Sequence, residues 1–233
     1  VGIFRELEAF RKLAAKADIA VIYYAGHGME SLDGRETFLI PVDADLKGAA
    51  ESEAVLKATG VGLGGILEDF GRATRGAKVV LLDCCRDRPK ARSTTGEALR
   101  GGGLVLLDEH IPADTLILLA AAPNQQASDG ERHGPFTEAL LEVLPVGGQS
   151  MLDAFFAVSD RVRETTKPQQ VPWLKFDGSG AIFRENVLVR GVPAKVKADD
   201  GASAEMAKRL AEAERRAEEA ERRVLVLENP ALR

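Results

Sequence analysis

Val79-Val80-Leu81-Leu82-Asp83-Cys84-Cys85-Arg86-Asp87 is the stretch from which the fold can be read. Four apolar residues give way at once to an acid, two thiols, a base and an acid. An unbroken apolar run of this length predicts a strand buried on both faces, here over 78–83, that stops at a polar edge. In open α/β sheets, ligands bind beyond the carboxyl ends of the strands. A cysteine at that edge is well sited as a nucleophile. Upstream, Ile19-Ala20-Val21-Ile22-Tyr23-Tyr24 runs into Ala25-Gly26-His27-Gly28. That pattern predicts a second buried strand ending in a glycine-bracketed histidine loop. If the two strands are parallel neighbours, the thiol and the imidazole meet, and the pair can attack a carbonyl and move the protons.

The remaining chain supplies helices and strands in alternation. Phe4, Leu7, Phe10, Leu13 and Ala14 recur at helical spacing, which predicts a helix over 3–16. Phe38–Pro41 predicts a short strand or extended piece, and Pro41, which cannot donate to a ladder, argues for an edge or an end. A short helix is expected near Ser52–Ala58 and a longer one over 62–74, closed by Arg75-Gly76. Gly60-Val61-Gly62-Leu63-Gly64-Gly65 is a poor nucleotide-binding match and leads into that helix instead. Thr115–Ala121 predicts a buried strand, Phe136–Leu144 and Leu152–Val162 predict helices, and Ala181–Phe183 predicts a last short strand. The fold class is α/β, a mostly parallel sheet between layers of helices. Residues 1–188 form the domain and 189–202 a linker. Residues 203–233 form a charged amphipathic helix with a thin apolar seam, the kind of surface a helical partner or a coiled coil uses.

Composition narrows the function. The net charge is −5 across 233 residues, which disfavours binding to nucleic acid. No apolar run approaches the roughly 20 residues of a membrane helix, so no membrane association is expected. Two adjacent cysteines cannot build a disulfide framework, which suits a reducing compartment and predicts a cytoplasmic protein.

The motifs Tyr23-Tyr24-Ala25-Gly26-His27-Gly28, Phe38-Leu39-Ile40-Pro41-Val42-Asp43 and Leu81-Leu82-Asp83-Cys84-Cys85-Arg86-Asp87 stand in a familiar order. They are followed by Ala121-Ala122-Pro123-Asn124-Gln125-Gln126-Ala127-Ser128-Asp129-Gly130, Gly134-Pro135-Phe136-Thr137 and Gln170-Val171-Pro172-Trp173. Together the series resembles the caspase-like (clan CD, C14) cysteine peptidases, and within them the bacterial metacaspase-like group, the orthocaspases, over residues 5–185. The resemblance implies a cysteine endopeptidase with Cys85 as nucleophile, the residue two after the aspartate, and His27 as proton carrier. It implies an oxyanion hole formed by the backbone N–H groups of Gly28 and Cys85. It places acids, Asp83 and Asp129, in the pocket for the substrate side chain. Two carboxylates converging on one pocket call for a cation between them, so cleavage is expected after Arg or Lys. The partners are then proteins or peptides carrying those residues.

Each assignment has a plainer counterpart. Both cysteines can be small buried apolar groups, Asp83 can cap a loop, and Asp129 can make an Asp-Gly turn. On the first counterpart the protein is a catalytically silent caspase-like interaction module. Cys84 is expected to face away from the site, because neighbouring strand residues alternate faces. His110 and His133 lack the glycine-bracketed setting of His27. The long segment from Arg86 to Asp114 carries Lys90, Arg92 and Arg100, which are either self-cleavage sites or solvated charges. The Cys–His chemistry calls for no cofactor or metal. Asp43, Asp45 and Asp87 could serve calcium, but they show no calcium-loop spacing. A small-molecule α/β hydrolase is disfavoured, as no Gly-x-Ser-x-Gly elbow follows a strand. By the family pattern, residues 1–17 correspond to a helix that follows the first strands, so a front truncation is expected, with an open sheet edge or gap, low stability and weak activity.

Overall fold

In the computed structural model, the described residues include thirteen elements that build one sheet with helices on both faces. The residues described are 2–31, 36–87 (backbone alone at 85–87), 111–122, 125, 127–128, 130, 132–167, 169–177, 180–189 and 215. Helix α1 (Gly2–Ala14) leads to β1 (Ile19–Glu30) and β2 (Thr37–Ile40). Helices α2 (Leu46–Glu51) and α3 (Glu53–Thr59), the two-residue β3 (Val61–Gly62) and α4 (Leu63–Ala73) follow. Then come β4 (Ala77–Asp87), β5 (Thr115–Leu119), α5 (Pro135–Val143), α6 (Met151–Thr166), β6 (Trp173–Asp177) and α7 (Ala181–Glu185).

The strand order is β3-β2-β1-β4-β5-β6. The pairs β1–β4 and β4–β5 are parallel, whereas β1–β2, β2–β3 and β5–β6 are antiparallel. The parallel centre expected from the apolar runs is present, and antiparallel strands on either side make the sheet mixed. Val79, Val80, Leu82, Leu116, Ile117 and Leu118 are fully buried, as a strand covered on both faces requires. Alternate residues of β4 serve two cores. Val79 and Leu81 pack with Phe136, Leu140, Leu152, Phe155 and Phe183 of α5, α6 and α7. Val80, Leu82 and Cys84 pack with Ala14 of α1 and with Leu63, Ile66, Leu67 and Phe70 of α4. The rings of Phe10 and Phe70 tie α1 to α4, with centroids 5.5 Å apart at a 56° tilt.

Several expectations need correction. Both central strands run further than their apolar runs. β1 continues through His27 to Glu30, and β4 continues through Cys85 to Asp87. His27 therefore lies within a strand and not on a loop. The reason is pairing: β2 folds back on the far half of β1, with His27 opposite Ile40 and Gly28 opposite Leu39. The last described strand is Trp173–Asp177, antiparallel to β5, and Ala181–Phe183 belongs to α7. Gly180 at φ 67° turns the chain, and fully buried Phe183 anchors the helix on α6. α2 and β3 carry too few residues to leave a periodic signal.

Among the described residues, β1 is paired unevenly along its length. Only His27–Glu30 of β1 pair with β2, while Ile19–Met29 pair with β4, so Ile19–Gly26 have a strand on one side alone. Val21 and Tyr23 on that stretch are exposed. The Arg86–Asp114 segment beyond Asp87, with Lys90, Arg92 and Arg100, lies outside the described residues up to Ile111. So do the linker beyond Val189 and the expected tail helix apart from Arg215, which is helical.

Candidate active site

The parallel pairing of β1 with β4 organises the site. In register, Tyr23 faces Leu81, Ala25 faces Asp83, Gly26 faces Cys84 and His27 faces Cys85. Residues 27 and 85 are thus neighbours across adjacent strands, which lie roughly 4.8 Å apart in any sheet. His27 is exposed at the sheet's carboxyl-terminal edge. Cys84 behaves as expected of the residue facing away: it is buried, 6% exposed, in the α1–α4 core.

Tyr24 holds the histidine segment from behind. Its hydroxyl lies 2.7 Å from the His27 carbonyl oxygen and 2.9 Å from that of Ile40, and it accepts from the Ile40 N–H at 3.1 Å. One phenolic proton serves two carbonyls, and a backbone amide fills the oxygen's other side. Burial pushes this hydroxyl up to about 12; the Ile40 bond works against that rise and nearby Cys84 adds to it. Gly26 is required by this arrangement, since a Cβ there would lie 2.8 Å from the Tyr24 hydroxyl. Gly28 is buried between its ladder partners Leu39 and Arg86. Its setting is a strand interior, unlike the loop expected for an oxyanion donor.

Asp83 is half-buried on the α5 face, and its Oδ2 accepts a hydrogen bond from the Thr137 hydroxyl. Thr137 Oγ1 in turn lies 2.7 Å from the Tyr23 hydroxyl. Helix α5 begins beside this acid: a Cβ on its N-cap residue Gly134 would stand 3.7 Å from Asp83 Oδ2. Asp129 lies outside the described residues, but the chain on either side of it is close by. A Cβ on Gly134 would meet the Ser128 carbonyl at 2.6 Å, and one on Gly130 would meet that of His133 at 2.0 Å. Ser128 is tied down by fully buried Gln170, whose side chain accepts from the Ser128 N–H at 2.9 Å and donates to the Ala120 carbonyl at 2.9 Å. His133 is exposed.

Three residues of this neighbourhood had no role in the sequence reading beyond membership of a motif: Tyr23, Thr137 and Gln170. The signal for Gln170 is a glutamine at the entrance to an apolar strand, in a segment short of charge. Tyr23 and Thr137 carry no local signal. As for metals, Asp45 is occupied in capping α2 through the Gly48 N–H at 3.0 Å, and no group of three potential ligands occurs among the described residues. No described helix is long and apolar enough to cross a membrane.

Comparison with known proteins adds to this geometry. The caspase domain family of peptidases matches residues 2–180. No curated protein matches the chain. Among solved structures, caspase-1 from Spodoptera frugiperda is similar at 17% identity and a TM-score of 0.49, covering 84% of this chain and 73% of that one. A structural-genomics protein from Geobacter sulfurreducens is similar at 14% identity and a TM-score of 0.53, covering 81% and 78%. At that identity the second likeness speaks to the fold alone.

Proposed function

This chain belongs to the caspase domain family of cysteine peptidases, and from that premise we propose that it is a cysteine endopeptidase cutting after Arg or Lys. The observation that carries the reading is the register of the central parallel pair, in which residue 27 stands opposite residue 85. Cys85 Sγ attacks the scissile carbonyl carbon, and the thiol proton passes to the His27 imidazole. The imidazolium gives that proton to the departing amine as the C–N bond breaks, leaving a thioester on Cys85. A water molecule then loses a proton to His27 and attacks the thioester. The C–S bond breaks, the acid is released, and the sulfur recovers its proton. The N–H groups of Gly28 and Cys85 are the oxyanion donors in this reading. For Gly28, whose strand setting is buried, that role requires its N–H to face the substrate and not the ladder.

Substrate choice follows from charge. Asp83, near the start of α5, is the acid that pairs with the cationic side chain, and Asp129 is assigned as its companion. Arg suits such a pocket through its planar donors and Lys through its point charge. No cofactor or metal takes part in these steps. Peptide substrates are the only partners the reading requires.

The test is cleavage of matched fluorogenic peptides ending in Arg, Lys or Asp by the full-length protein and its Cys85→Ala variant. Hydrolysis after Arg and Lys, abolished by Cys85→Ala, is the expected outcome. Cleavage after Asp would remove the acidic pocket and leave the peptidase. No cleavage of any peptide, with or without calcium, would leave the catalytically silent interaction module.

A further inference from the structure

The hydroxyls of Tyr23 and Thr137 connect to Asp83 in an order that their chemistry decides. A threonine hydroxyl has one hydrogen, and Thr137 donates it to Asp83 Oδ2. The proton between Tyr23 and Thr137, 2.7 Å apart, must then come from Tyr23. The series runs Tyr23 O–H to Thr137 O–H to Asp83, with each donor strengthening the next. Its members come from three elements: β1, the first turn of α5 and the end of β4. Asp83 lies two residues before Cys85, and Tyr23 lies four residues before His27.

This arrangement does two things to the acid. It holds the carboxylate at a fixed rotation by engaging one oxygen. It also sets that carboxylate beside the N-terminal end of α5, where a Cβ on the N-cap residue Gly134 would stand 3.7 Å from Oδ2. The Tyr23 side of the relay is open to water, since Tyr23 is 48% exposed. An exposed tyrosine that spends its phenolic proton on a helix threonine orders a surface where a ligand can enter. We propose that Tyr23 and Thr137 are positioning residues for Asp83, forming a hydroxyl relay that orients the carboxylate to receive the substrate's cationic side chain. This rests on the assignment of Asp83 to the substrate pocket, and the experiment separates the two.

The relay is tested first without turnover, by calorimetric titration of benzamidine into the full-length Cys85→Ala protein. Thr137→Val, which keeps shape and removes the hydroxyl, is expected to weaken binding about tenfold, as loss of a hydrogen bond to a charged group does. Thr137→Ser restores binding, and Tyr23→Phe weakens it roughly threefold, because it removes only the outer member. In the active protein the same variants raise KM for Arg peptides and leave kcat within about twofold. Thermal melts accompany each variant. Equal binding by Thr137→Val and Thr137→Ser overturns the relay, as does a fall in melting temperature with benzamidine affinity and KM unmoved. Benzamidine binding that depends on Asp83 and Thr137 in a protein that cleaves nothing sustains the relay while the peptidase reading fails. Arg cleavage untouched by Asp83→Asn sinks the relay while the peptidase stands.

Discussion

At the scale of single residues, the candidate site depends on side chains that hold backbone rather than substrate. Tyr24 is the clearest. Tyr24→Phe leaves the Ile40 N–H and two carbonyls without their shared partner. A loss of about 1–3 kcal/mol is expected, measurable by urea unfolding, together with slower turnover at unchanged KM as the His27 segment loosens. The same hydroxyl makes a pH prediction. Its folded value is raised from 10.0 to about 12, so the folded state binds more protons than the unfolded between those limits. The stability it contributes is fully present below pH 10 and is lost as pH rises through about 12. Tyr24→Phe should flatten that alkaline limb, followed by circular dichroism against tyrosinate absorbance. Gln170→Leu is the second residue-scale prediction. It leaves the Ala120 carbonyl and the Ser128 N–H unpaired around a fully buried site, at about 1–3 kcal/mol for each buried group left unsatisfied. Cleavage of Arg peptides should fall further than stability does, because the segment carrying Ser128 borders Asp83.

At the scale of elements, the β1–β4 ladder decides whether residue 27 faces residue 85. Its first rung is the Ala77 N–H donating to the Asp18 carbonyl at 2.9 Å, just after Gly76. A Cβ on Gly76 would stand 2.1 Å from that same carbonyl oxygen, and backbone there cannot yield cheaply. Gly76→Ala should lower stability by about 1–3 kcal/mol and reduce activity from a distance, since the site lies at the other end of both strands. Equal melting temperatures for the variant and the parent would refute this account of the rung. The ladder also shows where reading the elements from sequence works. The four apolar residues from Val79 to Leu82 are visible as a strand because burial on both faces demands them. Trp173–Asp177 is harder to see, because an edge strand contacts one neighbour and tolerates Lys175 and Asp177. Ala181–Phe183 resembles a strand by its apolar content, yet Gly180 and the cavity that receives Phe183 make it a helix.

At the scale of the whole molecule, the centre of the sheet is covered on both faces and its β1 flank is partly open. β4 and β5 lie between strands and between helical layers, with Val79, Val80, Leu82, Leu116, Ile117 and Leu118 fully buried. Among the described residues, β1 has a strand partner on one side only over Ile19–Gly26. Hydrogen exchange should therefore be slowest and uniform through β4 and β5. Over Ile19–Gly26 it should alternate, with every second amide pointing away from β4 and exchanging fast. Uniform protection along β1 would mean that another strand covers that edge in solution.

The sequence by itself determined the family, the α/β architecture, the two central strands and the pairing partners worth testing, His27 and Cys85. It did so because apolar runs, strand-end polarity and motif order are local or collinear properties. It also separated Cys84 from Cys85, since alternation along a strand is local too. Only the tertiary structure decided that His27 sits inside a strand, because that depends on β2 folding back across it. Only the tertiary structure joined Tyr23, Thr137 and Asp83, whose contacts span 114 and 54 positions of the chain. A hydroxyl has no periodicity to betray its partner, and proximity of that kind arises only when the sheet and α5 have packed.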